Sequence, residues 1–70
     1  MANKFILEKE TEWKNGEVHK WYYVKYINEA GKMDVVVMTK DDEERAHELF
    51  NEAVNSYIEP KREIIKEVNI

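Results

Sequence analysis

Between Trp21 and Ile27 the chain offers almost no polar side. Tyr22, Val24 and Tyr26 alternate with Trp21, Tyr23 and Ile27, and only Lys25 interrupts the second set. Aromatic and β-branched side chains at every position fit a pleated, buried surface. A half-solvated strand would alternate apolar with polar residues, so this run predicts a central strand with material against both faces. Upstream, residues 4–13 do alternate: Phe5, Leu7 and Trp13 fall on one side and Glu8, Glu10 and Glu12 on the other. Asn15-Gly16 lies between the two runs and predicts a two-residue type I′ hairpin, because both central residues of that turn need φ > 0. Such a short loop dictates the pairing: Trp13 with Val18, Leu7 with Val24 and Phe5 with Tyr26 on an apolar face. On the opposite face Glu8 pairs with Tyr23, Glu10 with Trp21 and Glu12 with His19.

A second turn is expected over residues 28–31, with Gly31 in the left-handed region. The Val-rich segment Lys32 to Met38 then predicts a third strand. Loops of three and four residues put opposite faces inward, and four is the expectation. It lays Met33, Val35 and Val37 beside Tyr26, Val24 and Tyr22, sets Lys25 opposite Asp34 as a charge pair, and joins Val36 and Met38 to Trp21 and Tyr23. Thr39 is the expected N-cap of a helix with Asp42 at its third position. Ala46, Leu49, Phe50, Ala53, Val54, Tyr57 and Ile58 recur at helical spacing, Glu44, Glu48, Asn51 and Asn55 point away, and Pro60 stops the run. Ile64, Ile65, Val68 and Ile70 suggest a fourth strand, parallel to the first at the sheet edge; the same spacing also fits a short helix. The expected fold is α+β, one domain over 1–70. It is an antiparallel three-stranded meander with a helix on one face and a C-terminal fourth strand, β-β-β-α-β.

Composition narrows the setting. Seventy residues lie near the lower limit for a domain without staples. The absence of cysteine rules out disulfides and thiolate metal sites and suits a reducing cytoplasm. No apolar run approaches the roughly 20 residues that span a bilayer, and Met1-Ala2-Asn3-Lys4 lacks the features of a secretory leader. A soluble cytoplasmic protein with no membrane contact is expected. The net charge of −4 is concentrated: residues 1–39 balance, residues 40–59 carry −5 and residues 60–70 carry +1. An acidic helix surface bearing Asp41, Glu44 and Glu48 keeps a small protein soluble, and it also complements a basic partner.

Catalytic chemistry finds little to stand on. Ser56 is the one serine, without an acid–His arrangement, and both glycines belong to turns, so no phosphate-cradling loop is available. The carboxylates occupy exposed alternating positions, where solvation keeps acid–base behaviour ordinary. Glu44-x-x-His47 has the spacing of half a di-metal carboxylate site, but the second half is missing. His47 is expected as a half-buried residue beside the helix stripe, and His19 as the cross-strand neighbour of Glu12. No catalytic residue, metal ligand or cofactor is assigned.

The informative patch is Trp21, Tyr23, Ile27, Val36 and Met38. If the helix covers the other face, these residues lie on a bare sheet ringed by Glu8, Glu10, Glu12, His19 and Lys25. Aromatic anchors within a charged rim are the anatomy of a protein interface. Self-association by sheet stacking would bury the same residues, and a C-terminal segment folded over them would leave a plain monomer. Trp21, Tyr23, Glu8, Glu10 and Glu12, with Asp41, Glu44 and Glu48 on the helix, are the candidate partner-binding residues. The expected partner is a basic protein, and the expected state a monomer or weak homodimer.

Two resemblances bear on this. From Tyr22 to Ala53, Tyr-x-x-x-Tyr before a Gly31-Lys32 turn, a β-rich strand, and Thr39-Lys40 leading into an acidic helix start with Ala46 resemble the AP2-like arm-binding domains of phage and transposon integrases. That resemblance covers about half the chain and implies a nucleic-acid-binding module whose sheet face enters the major groove. In that family the face carries basic and polar residues. Here it holds Glu8, Glu10 and Glu12 with large aromatics, and an acidic sheet repels phosphate. The short, acidic, cysteine-free chain without catalytic motifs is also similar to small phage-encoded inhibitors of host or defence proteins, such as anti-CRISPR proteins. This second likeness implies a non-catalytic inhibitor that acts by occlusion; nucleic-acid binding is the alternative.

Overall fold

A computed structural model describes residues 3–70. Three antiparallel strands, β1 (Lys4–Lys14), β2 (Glu17–Ile27) and β3 (Met33–Lys40), form one sheet in the order β1-β2-β3, followed by a helix, α1 (Glu43–Ser56). This is the expected α+β arrangement, a meander with one helix on one face. The part of the leader reading that rests on Met1 and Ala2 lies outside the described residues.

The first hairpin has the pairing its turn dictates. Asn15 and Gly16 take φ of 53° and 77°, and Phe5↔Tyr26, Leu7↔Val24, Glu8↔Tyr23, Glu10↔Trp21, Glu12↔His19 and Trp13↔Val18 face one another. The second hairpin differs from expectation. Asn28 closes a five-residue turn: its carbonyl accepts from Gly31 N at 2.9 Å and its side chain from Lys32 N at 3.0 Å. Ile27 therefore faces Met33, Tyr26 faces Asp34 and Lys25 faces Val35. An extra residue, Val36, then bulges out of the ladder, and Val24↔Val37 and Tyr23↔Met38 resume beyond it.

Met33 and Val35 consequently lie on the side away from the helix and Val36 on the helix side, the reverse of the four-residue expectation, whereas Val37 lies on the helix side as expected. Lys25 and Asp34 do not pair. Asp34 turns toward the helix side and meets Arg62 at 2.8 Å.

β3 continues through Thr39, which faces Tyr22, so Thr39 is not the helix cap. Asp41 adopts φ of 55° and locks onto Lys20, donating N–H to its carbonyl at 2.7 Å and accepting from its N–H at 2.9 Å. Asp42 is the N-cap, its carboxylate accepting from Arg45 N at 2.9 Å. Glu43 and Glu44 lie at the positive end of the helix dipole. The helix ends at Ser56, four residues before Pro60, where Tyr57 turns extended. Ala46 and Ala53 are buried, Leu49, Phe50 and Tyr57 half-buried, and Val54 and Ile58 exposed, so the inward stripe is narrower than its periodicity suggests.

Two small alanines let the helix sit close over Tyr22, Val24 and Tyr26, and among the described residues Val24 is the one large side chain buried to 1% exposure. Phe5, Tyr26 and Tyr57 pack ring on ring at centroid distances of 5.0 to 5.9 Å, a spacing that adds to their burial. Two parts project from this small core. The β1–β2 hairpin runs past the end of β3 and leaves Trp13 73% exposed. Residues 57–70 contain neither helix nor strand, so no fourth strand is present. The radius of gyration, 15.6 Å, exceeds the roughly 11 Å of a compact chain of this length.

Candidate functional site

Among the described residues nothing covers the sheet side opposite α1, where Met33, Val35 and Met38 are exposed. Alternation along β1 and β2 places Glu8, Glu10 and Glu12 beside Tyr23, Trp21 and His19 there, so five of the eight candidate residues are brought together. Ile27 and Met38 join them as expected, and Val36 does not.

Ile6, Met33, Val35 and Lys40 also belong to this face. Ile6 was readable from its alternation with Glu8. Met33 and Val35 were hidden by the five-residue turn and the bulge, and Lys40 by the helix start expected at Thr39.

The aromatic anchors are braced by charged neighbours. Lys25 Nζ donates to Glu8 Oε1 at 2.6 Å and lies 5.5 Å from the centre of the Tyr23 ring. The Tyr23 hydroxyl donates to Glu10 Oε1 at 3.0 Å. Lys40 Nζ sits 5.3 Å from the Trp21 ring centre, a cation–π distance. Burial first, then the hydrogen bond to Glu10 and the nearby Glu10, Glu12 and Glu8 charges, push the Tyr23 phenol above its ordinary value. Glu8 and Glu10 are thus occupied within the face. Lys4, Lys25 and Lys40 balance Glu8, Glu10 and Glu12 in formal charge, so this surface is amphipathic rather than acidic. His19 is half-buried, and its Nε2 approaches Glu17 at 3.4 Å rather than Glu12 across the strand.

Asp41, Glu44 and Glu48 fall on the other layer of the molecule. Asp41 is engaged with the Lys20 backbone, Glu48 pairs with Arg45 at 3.1 Å, and Glu44 is exposed. Tyr22, beneath the helix start, has its phenol pushed up by burial first and then by Glu43, Asp41 and Asp42. His47 is exposed rather than half-buried. Among the described residues no group of three or more His, Cys, Asp or Glu is placed to hold a metal ion. No helix among them is long and apolar enough to cross a membrane.

At the far end of the sheet the chain folds back once. Glu59 accepts from the Tyr26 hydroxyl at 3.3 Å and from Asn28 Nδ2 at 2.9 Å. Burial first, then Glu59, raises the Tyr26 phenol. Arg62 reaches Asp34 Oδ1, a contact that raises the Arg62 guanidinium, while Asp34 Oδ2 is buried without a hydrogen-bond partner. Compared with models of protein families, with curated proteins and with solved structures, the chain matches none.

Proposed function

We propose that this chain is a non-catalytic protein-binding domain, an inhibitor of a host or defence protein, that docks through its open sheet face with Trp21 and Tyr23 as anchors. The supporting observation is the bracing of those two rings. Lys40 lies against one, while Lys25 and Glu10 hold the other. Large aromatics held in place before contact lose little freedom on binding and concentrate its energy. Ile6, Met33, Val35 and Met38 give the face an apolar field around them.

The complement is a protein surface with an apolar recess for the two rings and basic groups for Glu12 and the outward sides of Glu8 and Glu10. The acidic helix surface lies on the opposite layer and cannot join the same flat contact. Its part is to steer a basic partner over distance. Occlusion of the partner's working surface is then the mode of inhibition.

The test is capture of partners from a bacterial lysate by the wild type and by a folded Trp21→Ala/Tyr23→Ala variant. Partners retained by the wild type and lost by the variant are expected; identical profiles would remove the sheet face from the reading. The integrase-type alternative shares the three-strand-plus-helix layout, but its groove-facing surface here is charge-balanced. A mobility shift with duplex DNA at about 50 mM salt, where phosphate contacts are strong, separates the two.

A further inference from the structure

We infer that the outer edge of β3 accepts the C-terminal segment of a second copy of this chain, so that two copies exchange residues 63–70 as strands. Three observations meet at this edge. The first is a contrast between the two edges of the sheet. β1 carries charged side chains at Lys4, Glu8, Lys9, Glu10, Glu12 and Lys14, a common guard against unwanted pairing. β3 has charge only near its ends, at Asp34 and Lys40; from Val35 to Thr39 it has neither charge nor proline, and the bulge at Val36 is what interrupts it. Asp34 is neutralised by Arg62.

The second observation is an open groove beside that edge. It lies between β3 and α1, is lined by Val36, Val37, Leu49, Ala53 and Tyr57, and carries Glu52 as its acid. The third is the tail. Ile64, Ile65 and Val68 are 78%, 92% and 81% exposed, and residues 63–70 belong to no strand or helix. Extended, this segment puts Ile64, Lys66, Val68 and Ile70 on one side. In that form residues 63–70 are long enough to run beside β3, whose eight residues span about 26 Å as a strand. The apolar side fits the groove, and Lys66 is its only base, facing a groove with one acid.

The tail is anchored at its root. Glu59 and Arg62 are tied to β2, the turn and β3, and the segment beyond them leaves its own edge bare. Each copy therefore presents one free edge and one free strand. Reciprocal exchange satisfies both in a closed two-fold pair.

Sedimentation velocity over a hundredfold concentration range, with hydrogen exchange of the β3 amides, tests this on the full chain. The wild type is expected to move from 8.4 kDa toward twice that mass, with β3 protection rising as it does. Full-length Ile64→Ser/Val68→Ser, altered only at exposed positions, should remain monomeric. Lys66→Glu and Glu52→Lys should each weaken the dimer roughly five-fold, and their combination should restore it. A wild type that stays at 8.4 kDa throughout overturns the inference. So does a dimer that survives Ile64→Ser/Val68→Ser but dissociates on Trp21→Glu, which would assign self-association to the open face. Concentration-independent β3 protection lost in the tail variant also overturns it, because the tail would then pair with its own edge.

Discussion

Tyr22 and Tyr26 on the helix side of β2 are buried with Val24 beneath two alanines, while Trp21 and Tyr23 on the open side are half-buried by charged neighbours. Both sets push away water, yet by different means. Under the helix, small residues bring backbone close and apolar contact does the work. On the open side, lysine stems lie against the rings and carboxylates hold the heads in place. The helix side carries the stability of the fold, and the open side keeps its shape without being sealed.

The division is broken most severely by hollowing the helix side. Val24→Ala should cost about 2 kcal/mol, read as a lower denaturant midpoint at unchanged slope. A loss below about 0.5 kcal/mol would mean that the helix is not what holds the sheet. Asp42→Ala removes the cap that starts α1 and should cost about 1 kcal/mol, with helical circular dichroism falling before the sheet signal on heating.

Alkaline titration sharpens the comparison, because tyrosines from both sides respond. Tyr22, Tyr23 and Tyr26 all hold their protons more tightly in the folded chain, with burial the first cause in each. Their contribution is complete below the unfolded value of about 10 and is lost as pH rises through the higher folded values. Phenolate absorbance of the folded protein should therefore lag behind that of the denatured chain. Tyr23→Phe should shrink the lag, showing that the open side shields as well as displays. The smallest effect belongs to Met38→Ser on the open side, which should shift stability by no more than about 0.5 kcal/mol. A larger loss in dilute monomer would place Met38 in the core.

How much of this was legible differs between the two hairpins for a physical reason. Asn15-Gly16 admits one turn geometry, so a two-residue motif determined every partner from Phe5 to Tyr26. The Asn28–Lys32 turn depends on the Asn28 side chain accepting from Lys32 N, and the bulge at Val36 leaves no mark in a run of three valines. That is why Lys25 and Asp34 looked like a pair and are not. The helix start was misplaced because Thr39 and Asp42 are both good caps; the tertiary link between Asp41 and Lys20 decides between them. The fourth strand expected over residues 62–70 is not formed, because the spacing of Ile64, Ile65, Val68 and Ile70 supplies apolar side chains but no paired edge. The aromatic anchors and the three glutamates beside them followed from alternation alone, whereas Lys40 over Trp21 required the true pairing of β3.

The bulge at Val36 also bears on how such a chain tolerates changes in length. Dropping Val36 alone removes the bulge and leaves an uninterrupted ladder in which Met33, Asp34, Val35 and Val37 keep their partners and their faces. Dropping one residue from the turn is a different change: Met33 must enter the loop to keep its length, and Val36 becomes an ordinary ladder residue so that Val37 can still face Val24. Asp34 would then turn to the open side, away from Arg62, and Val35 would turn inward. A deletion at Val36 should therefore be tolerated, whereas a deletion in the turn should exchange the two faces at the start of β3 and break the ion pair that roots the tail.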